Sequence, residues 1–432
     1  MKSRLMASAA VGAAALAAIA GCSSSSSTSG GSAPGAGSSS SSGGGAAVTI
    51  NFYGADYGTG PSNSTTAYWQ AIASAFHQAN PSITVNVQTV DWTDYPNKVQ
   101  AMIQGHQYPD ILEGDAAPQF AQSKLIYPVS QLLDQSLVSN LNQPFLQNTD
   151  FNGTPYGIPF TTSTRAMYYN KKAFAAAGIS SPPATWAQLQ ADCPKLKAKG
   201  YICYGMPLGT EEAQAETLLW FLGNGGGYVD SSGKYVINSP QNIATLTFMK
   251  QLAAAGDTQP SPGTTDRKDV WAQFAAGKIA MCLGSPAVIP IITAAGTLQA
   301  SDYATAPVPG KNGPLASTLG VHDDIVVFNS GGASKLPAIK QFLTFAYQDQ
   351  WQLKFDTEYD LLPATNSAAQ ALATQNPMFG GFLKNISTAT NYPTNANWGT
   401  IDNTIKQQLG AAITGSPAQV LNSIQQTAAA GG

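Results

Sequence analysis

The alternation of apolar and polar residues in the first part of the chain predicts strands separated by helices. Two of the strand segments alternate with a period of two, whereas apolar residues recur at helical spacing in the segments between them. The predicted strands are 48–53, 83–87 and 109–112, and the predicted helices are 64–79 and 95–104. This order predicts an α/β sheet with helices packed on its faces.

The same order of elements continues after residue 157. Residues 157–186 contain a short apolar strand, a turn at Asn170 and an Ala-rich helix, which Gly178 and the Pro182-Pro183 pair end. Further helices are expected at 212–223, 240–255 and 333–349, and buried strands at 279–283 and 320–328. No internal repeat is present. A chain of 432 residues is too long for one ordinary core, so two lobes are expected.

The charge of the chain argues against nucleic-acid binding. Only 10% of the residues are charged, the net charge is -3, and there is no basic run. A nucleic-acid binder needs a basic patch that neutralises phosphates. The partner is therefore not expected to be a nucleic acid.

The first 47 residues predict export and a lipid anchor. Lys2 and Arg4 precede an apolar run, 6–20, that is too short to span a membrane comfortably. The run ends in Ile-Ala-Gly-Cys, which resembles a lipobox, so we expect a signal peptide at 1–21 and lipidation of Cys22. Residues 22–47 are expected to form a Ser/Gly-rich tether, because such a composition cannot bury enough apolar surface to fold.

Two cysteines are placed so that they could pair. Cys193 lies on the apolar face of a predicted helix, and Cys203 lies in the strand that follows. Six helical residues climb about 9 Å and three strand residues return about 10 Å, so both thiols end at the same level. A disulfide in an oxidising exterior and two buried thiols are the alternatives. Cys282 is expected to lie in a core strand.

Signatures of catalysis and of metal binding are weak. The chain has no G-x-S-x-G, H-E-x-x-H, Walker or C-x-x-C motif. Adjacent side chains on a strand point to opposite faces, so His322-Asp323-Asp324 does not predict a metal site. Glu211 and Glu212 either belong to a glycosidase or favour the start of a helix. We expect no catalytic residue, no metal and no cofactor.

The order of several motifs resembles a known family. Tyr-Tyr-Asn-Lys at 168–171, Pro-Pro-x-Thr-Trp at 182–186 and Phe-x-x-Gly-Lys-x-Ala-Met at 274–281 occur in sequence. The chain resembles the extracellular solute-binding proteins of ATP-driven (ABC) importers, a family that includes maltose- and glycerol-3-phosphate-binding proteins. The resemblance covers about residues 48–427.

This resemblance implies a periplasmic-binding-protein-like fold, with two α/β lobes joined by a three-segment hinge and a ligand cleft between them. Lobe one would be 48–158 and 310–357, and lobe two would be 163–304 and 362–432. The protein would be a monomer on the extracellular face of the cell membrane. It would deliver a carbohydrate to its ABC permease without performing chemistry.

Carbohydrate binding needs aromatic faces for C–H surfaces and planar polar groups for hydroxyls. Such groups usually follow the carboxyl ends of strands, and the resemblance points to the same loops. The candidate substrate-binding residues are Tyr53, Asp56, Tyr95, Asp115, Thr164, Arg165, Trp220, Ser285, His322, Asp323, Tyr359 and Trp398. The alternatives are that Asp56 and Asp115 are helix caps, that Arg165 pairs with a structural carboxylate, and that the aromatic residues belong to the core.

Departures from the family's pattern bear on the ligand. Maltose binders carry a Trp where this chain has Gly284-Ser285-Pro286-Ala287, so a mono- or disaccharide is expected rather than a long maltodextrin. The Ser163-Thr164 pair before Arg165 resembles the glycerol-3-phosphate binder, which makes a polyol phosphate the alternative ligand. A secreted lipoprotein glycoside hydrolase is the alternative of another class, and an adhesin or structural lipoprotein is a third.

Overall fold

The computed structural model describes residues 47–58, 60–92, 94–114, 117–395 and 397–430. The expected signal peptide, Cys22, nearly all of the tether and Asp115 lie outside the described residues. Within the part of the chain that the structure describes, no helix combines the length and apolar composition needed to cross a membrane.

The elements alternate between strands and helices along most of the chain. The strands are β1 (Val48–Asp56), β2 (Ile83–Asp91), β3 (Ile111–Gly114), β4 (Asp150–Phe151), β5 (Thr154–Pro155), β6 (Ile158–Thr164), β7 (Ala166–Asn170), β8 (Ile202–Gly205), β9 (Ile279–Gly284), β10 (Tyr303–Ala306), β11 (Gly320–Val327) and β12 (Leu362–Pro363).

The α-helices are α1 (Thr65–Ala79), α2 (Tyr95–Gln104), α3 (Ala117–Gln122), α4 (Gln135–Asn140), α5 (Gln143–Asn148), α6 (Lys171–Ala176), α7 (Trp186–Lys197), α8 (Ala213–Leu222), α9 (Pro240–Ala254), α10 (Arg267–Ala275), α11 (Val288–Ala295), α12 (Leu336–Ala346), α13 (Asp349–Tyr359), α14 (Asn366–Gln375), α15 (Gly380–Lys384), α16 (Trp398–Gln408) and α17 (Pro417–Ala430). Short 3₁₀ turns lie at Pro61–Asn63, Val129–Gln131, Pro262–Thr264, Ala333–Lys335, Pro377–Phe379, Ile386–Thr388 and Leu409–Ile413.

The first lobe is built around a six-stranded mixed sheet in the order β12-β6-β11-β3-β1-β2. Strand β1 runs parallel to β2 and β3, whereas β11 runs antiparallel to β3 and β6. Helix α1 begins at the cap Ser64, whose side chain accepts a hydrogen bond from the Thr66 amide. Its apolar face covers the sheet, where the Trp69 ring lies 4.2 Å from the Phe52 ring.

The second lobe is built around a four-stranded sheet in the order β10-β7-β9-β8. Helices α7, α8 and α9 share one core with this sheet. A disulfide joins Cys193 of α7 to Cys203 of β8, with a Cα–Cα distance of 5.0 Å. Of the two alternatives left open by the sequence, the disulfide is the one that the structure contains, and Cys282 is a buried free thiol in β9, as expected.

The chain passes between the two main sheets twice, and it then leaves the first sheet once more for helices. Only Arg165 separates β6 of the first sheet from β7 of the second. Residues 307–319 lead from β10 back to β11, and the chain leaves the first sheet for the last time after β12. In the first passage β6 stays paired with β11 as far as Thr164, so the change of sheet falls at Arg165.

Candidate functional site

The first passage between the lobes is a buried run of hydroxyl side chains that ends in Arg165. Thr161 donates a hydrogen bond to Asp356 Oδ1 of α13 at 2.9 Å, and Thr162 donates to the Leu362 carbonyl at 3.0 Å. Thr164 is fully buried and donates to the Phe382 carbonyl at 2.9 Å. Because these hydroxyls join the segments of the hinge, the contacts of Thr164 are those of a structural residue rather than of a ligand contact.

Arg165 is buried, and both terminal nitrogens of its guanidinium contact protein groups. Its Nη1 donates to Ser163 Oγ at 2.8 Å, and its Nη2 forms an ion pair with Glu212 Oε1 at 2.9 Å. The Arg165 carbonyl accepts a hydrogen bond from Thr318 of the second passage at 2.7 Å. The alternative in which Arg165 pairs with a structural carboxylate is therefore the arrangement that the structure contains.

Glu212 lies between two guanidinium groups. Arg267 of α10 pairs with Glu212 Oε2, and its Nε contacts Glu211 Oε1 at 3.1 Å. Burial raises the pKa of Glu212, but Arg267 and Arg165 outweigh that effect and hold the pKa below its ordinary value. The two arginines and the two glutamates balance in charge, so this network presents no net positive charge to an anion.

Asp56, at the end of β1, organises the loop that follows. Its carboxylate accepts hydrogen bonds from the amides of Gly58 and Thr65, each at 2.9 Å, and from the Ser64 hydroxyl. Burial raises the pKa of Asp56, but these hydrogen bonds lower it by more, so the pKa lies below its ordinary value. These contacts match the alternative in which Asp56 caps the start of α1.

A tyrosine hydroxyl bridges two carboxylates beside this loop. The Tyr57 hydroxyl lies 2.5 Å from Glu113 Oε1 of β3 and 2.7 Å from Asp323 Oδ2 of β11. Glu113 also accepts a hydrogen bond from the Ala55 amide at 2.8 Å. Sequence reasoning missed Tyr57 and Glu113, although a charged residue within the short apolar run of β3 is a usable signal.

A cavity of about 830 Å³ opens at the loop after β1. Most of its lining comes from the first lobe, and Lys268 of α10 contributes from the second. The lining residues are Asp56, Gly58, Gly60, Pro61, Ser64, Thr66, Ala67, Gln70, Asp91 and Lys268. The cavity therefore lies where the two lobes approach each other, and its lining contains two carboxylates and one ammonium group.

Trp220 lies in the core of the second lobe rather than on a ligand-facing surface. Its side chain is 1% exposed, and its ring packs against the Trp186 ring at 5.6 Å. The indole Nε1 donates to Glu216 Oε1 at 2.9 Å. This position does not fit the expected stacking role, because α8 is buried on nearly every side and the Trp220 ring lies in the core.

Three further tyrosines of the expected site are buried in the first lobe. Tyr95 donates to the Glu113 carbonyl, and its ring lies 6.4 Å from the ring of Tyr53. The Tyr359 hydroxyl donates to the Asn63 carbonyl at 2.9 Å. The three rings therefore pack near the loop after β1 and are structural residues of the first lobe.

His322 is hydrogen-bonded to protein groups, and Ser285 is buried. His322 Nδ1 lies 2.8 Å from Asp324 Oδ1, and its Nε2 lies 3.1 Å from the Asn148 side chain. Ser285 is 3% exposed, and its carbonyl accepts a hydrogen bond from Tyr168 at 2.8 Å. Among the described residues, no group of three or more His, Cys, Asp or Glu side chains is arranged to hold a metal ion.

Trp398 belongs to an aromatic cluster in the second lobe. Its half-buried ring stacks on Tyr392 at 5.6 Å with an interplanar angle of 27°, and it lies 5.4 Å from the Tyr228 ring. Gln214 Nε2 contacts the Tyr392 hydroxyl at 3.4 Å, whereas its buried Oε1 has no hydrogen-bond partner among the described residues. The partly buried rings of Tyr392 and Trp398 are suited to covering the C–H face of a ligand.

Comparisons with known proteins agree with this architecture. The model of the family described as bacterial extracellular solute-binding protein matches residues 60–353. A binding protein of Brucella abortus (strain 2308) is 29% identical over 314 residues, which is 72% of this chain and 75% of the relative. The diacetylchitobiose binding protein DasA of Streptomyces coelicolor is 24% identical over 379 residues, covering 83% of this chain and 85% of the relative.

One relative binds a phosphate ester. The sn-glycerol-3-phosphate-binding periplasmic protein UgpB of Brucella melitensis is 26% identical over 227 residues, covering 50% of this chain and 51% of the relative.

The solved structure of maltose-bound T. maritima MalE3 has the same fold. It superposes with a TM-score of 0.74 at 20% identity, over 88% of this chain and 99% of that structure. The expected fold, two α/β lobes joined by a three-segment hinge with a cleft between them, is confirmed.

Proposed function

Because the chain belongs to the bacterial extracellular solute-binding proteins, we propose that it captures a neutral mono- or disaccharide between its lobes and delivers it to an ABC permease. Members of this family bind substrates and are not enzymes, and the family is extracellular or periplasmic. The observation that carries the carbohydrate proposal is the stacked, partly buried Tyr392–Trp398 pair.

The charge arrangement favours an uncharged ligand over a polyol phosphate. Arg165 and Arg267 are both paired with glutamates, so a phosphate would have to compete with these carboxylates for each guanidinium. If Arg165 left Glu212 to bind a phosphate, the buried Glu212 carboxylate would lose one of its two cationic partners, which costs free energy. Lys268 is the single cation lining the cavity among the described residues, and Asp56 and Asp91 line it as well.

The ligand contacts that we propose come from both lobes. Asp56 and Lys268 line the cavity, and the Glu211 carboxylate, which is 26% exposed, can accept a hydroxyl hydrogen bond at its second oxygen. Tyr392 and Trp398 would cover C–H faces of the sugar. Asp115, which follows β3, remains a proposed contact on the basis of the sequence alone.

The environment of Glu212 argues against a glycoside hydrolase. Such an enzyme needs a carboxylic acid with a raised pKa that protonates the leaving group. The pKa of Glu212 is lowered, after the raising effect of burial, by Arg267 and Arg165, so the group stays ionised. Glu212 therefore does not fit the role of the proton-donating acid in such an enzyme.

Export, anchoring and oligomeric state follow from the sequence and are part of the proposal. Residues 1–21 would be removed, Cys22 would carry the lipid, and residues 22–47 would connect it to the body on the extracellular face of the membrane. The body would act as a monomer.

A thermal-shift screen tests the ligand class. We expect at least one neutral mono- or disaccharide to raise the melting temperature, and glycerol 3-phosphate not to. Trp398→Ala should abolish the shift with that saccharide, because the stacked ring is lost, whereas Trp351→Ala removes a ring of α13 in the first lobe and serves as the control. A shift with glycerol 3-phosphate alone, or an undiminished shift in Trp398→Ala, contradicts the proposal.

A further inference from the structure

Arg165 occupies a position from which it can hold the two lobes in one geometry. It is the single residue between β6 of the first sheet and β7 of the second, and it is 5% exposed. One end of its guanidinium contacts Ser163 in β6, and the other contacts Glu212, which precedes α8 of the second lobe. The side chain therefore spans the point at which the lobes can rotate relative to each other.

The contact continues from Arg165 to the wall of the cavity. Glu212 uses its second oxygen for Arg267, the first residue of α10. The next residue, Lys268, lines the cavity opposite the Asp56 loop of the first lobe. A displacement of Arg165 would thus be passed through two ion pairs to the helix that forms the second-lobe side of the cavity.

The second passage is attached to the same residue. Thr318, which lies just before β11, donates its hydroxyl to the Arg165 carbonyl at 2.7 Å. Two of the three hinge segments therefore meet at Arg165. A rotation of one lobe relative to the other would affect the contacts of both its side chain and its backbone.

We propose that Arg165 is a positioning residue: through Glu212 and Arg267 it fixes the second-lobe wall of the cleft relative to the hinge, without contacting the ligand. This inference concerns the geometry of the lobes and does not depend on which ligand the cleft takes. It replaces the direct phosphate or hydroxyl contact that the sequence suggested for Arg165.

Distances between spin labels in the ligand-free chain test the inference. Labels at Ser139→Cys in the first lobe and Gln251→Cys in the second, both exposed positions, report the separation of the lobes. The background carries Cys22→Ser. Cys282 is buried, and the other two cysteines are bridged, so none of these three takes a label readily.

Arg165→Gln is expected to shift and broaden the distance distribution, and Arg165→Lys to restore it in part, because a lysine can still pair with Glu212. Glu212→Gln removes the other partner of the same ion pair and should change the distance distribution in the same way. The Arg165→Gln/Glu212→Gln double variant should change it no further. Lys335→Gln is the matched control, because it removes a comparable ion pair with the buried Asp110 inside the first lobe.

Distributions for Arg165→Gln and Glu212→Gln that superpose on the wild type overturn the inference. An equal change in Lys335→Gln also overturns it, because the effect would then be general destabilisation. A variant of Arg165 that fails to fold is replaced by Glu212→Gln, which keeps the side-chain shape. Failure of every saccharide to bind would refute the proposed ligand and leave this result standing.

Discussion

Glu216 is a buried carboxyl group that should make the stability of the second lobe depend on pH. It lies in α8 and is 6% exposed. Its Oε1 accepts hydrogen bonds from the Tyr204 hydroxyl at 2.5 Å and from Trp220 Nε1 at 2.9 Å. Burial raises the pKa of Glu216 from its ordinary value of 4.5 to about 7, although these two hydrogen bonds act in the opposite direction.

The sign of the effect follows from proton linkage. Between 4.5 and about 7 the folded protein holds a proton on Glu216 that the unfolded chain has released. Stability therefore falls as the pH rises through this window, and the loss is complete above the folded pKa. At 1.36 kcal/mol for each pKa unit, the loss is about 3 kcal/mol in the free energy of unfolding.

Glu216→Gln tests this reasoning, because the amide oxygen can accept both hydrogen bonds and does not ionise. Urea unfolding, followed by circular dichroism at about pH 5 and about pH 8, gives the free energies. We expect the variant to be more stable than wild type at the higher pH and to lose less stability across the interval. Glu358→Gln, at an exposed position of α13, is the control. Equal pH dependence in wild type and Glu216→Gln would refute the reasoning.

Three further changes probe the scaffold. Replacing Cys193 and Cys203 by serine opens a loop with a sequence separation of 10 and should lower the free energy of unfolding by about 3 kcal/mol; an unchanged urea midpoint would contradict this. Asp56→Ala removes the loop and cap contacts and should lower the free energy of unfolding by about 1–2 kcal/mol, and Asp56→Asn should lower it by less. Because the pKa of Asp56 is lowered in the folded protein, the difference from wild type should shrink as the pH falls. Equal melting temperatures of wild type and Asp56→Ala at neutral pH would argue against this role. Tyr57→Phe removes the hydroxyl between Glu113 and Asp323 and should destabilise the first lobe by about 1–3 kcal/mol. Thermal unfolding measures this change, and an unchanged melting temperature would show that the bridge does not stabilise the fold.

The strands and helices were predictable because their signals are local. The period-two pattern of β1 and β2 and the helical spacing of α1 depend on neighbouring residues, and the structure contains all three elements. The same local reasoning placed Cys193 and Cys203 at one level, since they lie ten residues apart in adjacent elements of known rise, but it left a disulfide and two buried thiols as alternatives. The order of the family's motifs then supplied the arrangement of the lobes.

The side-chain contacts of the site were less predictable because they join distant parts of the chain. Arg165 meets Glu212 across 47 residues, and Tyr57 meets Asp323 across 266. No periodicity records such pairings. Trp220 illustrates another limit: α8 is buried on nearly all sides, so an apolar pattern cannot distinguish a ring that faces the core from one that faces a ligand.

Isothermal titration calorimetry at low and high salt tests the central claim most directly. The purified protein is titrated with neutral mono- and disaccharides and, separately, with glycerol 3-phosphate. Paired arginines and a cavity with two carboxylates predict that a neutral saccharide binds with an affinity that salt leaves unchanged. Binding of glycerol 3-phosphate alone, with an affinity that falls as salt is added, would contradict the account.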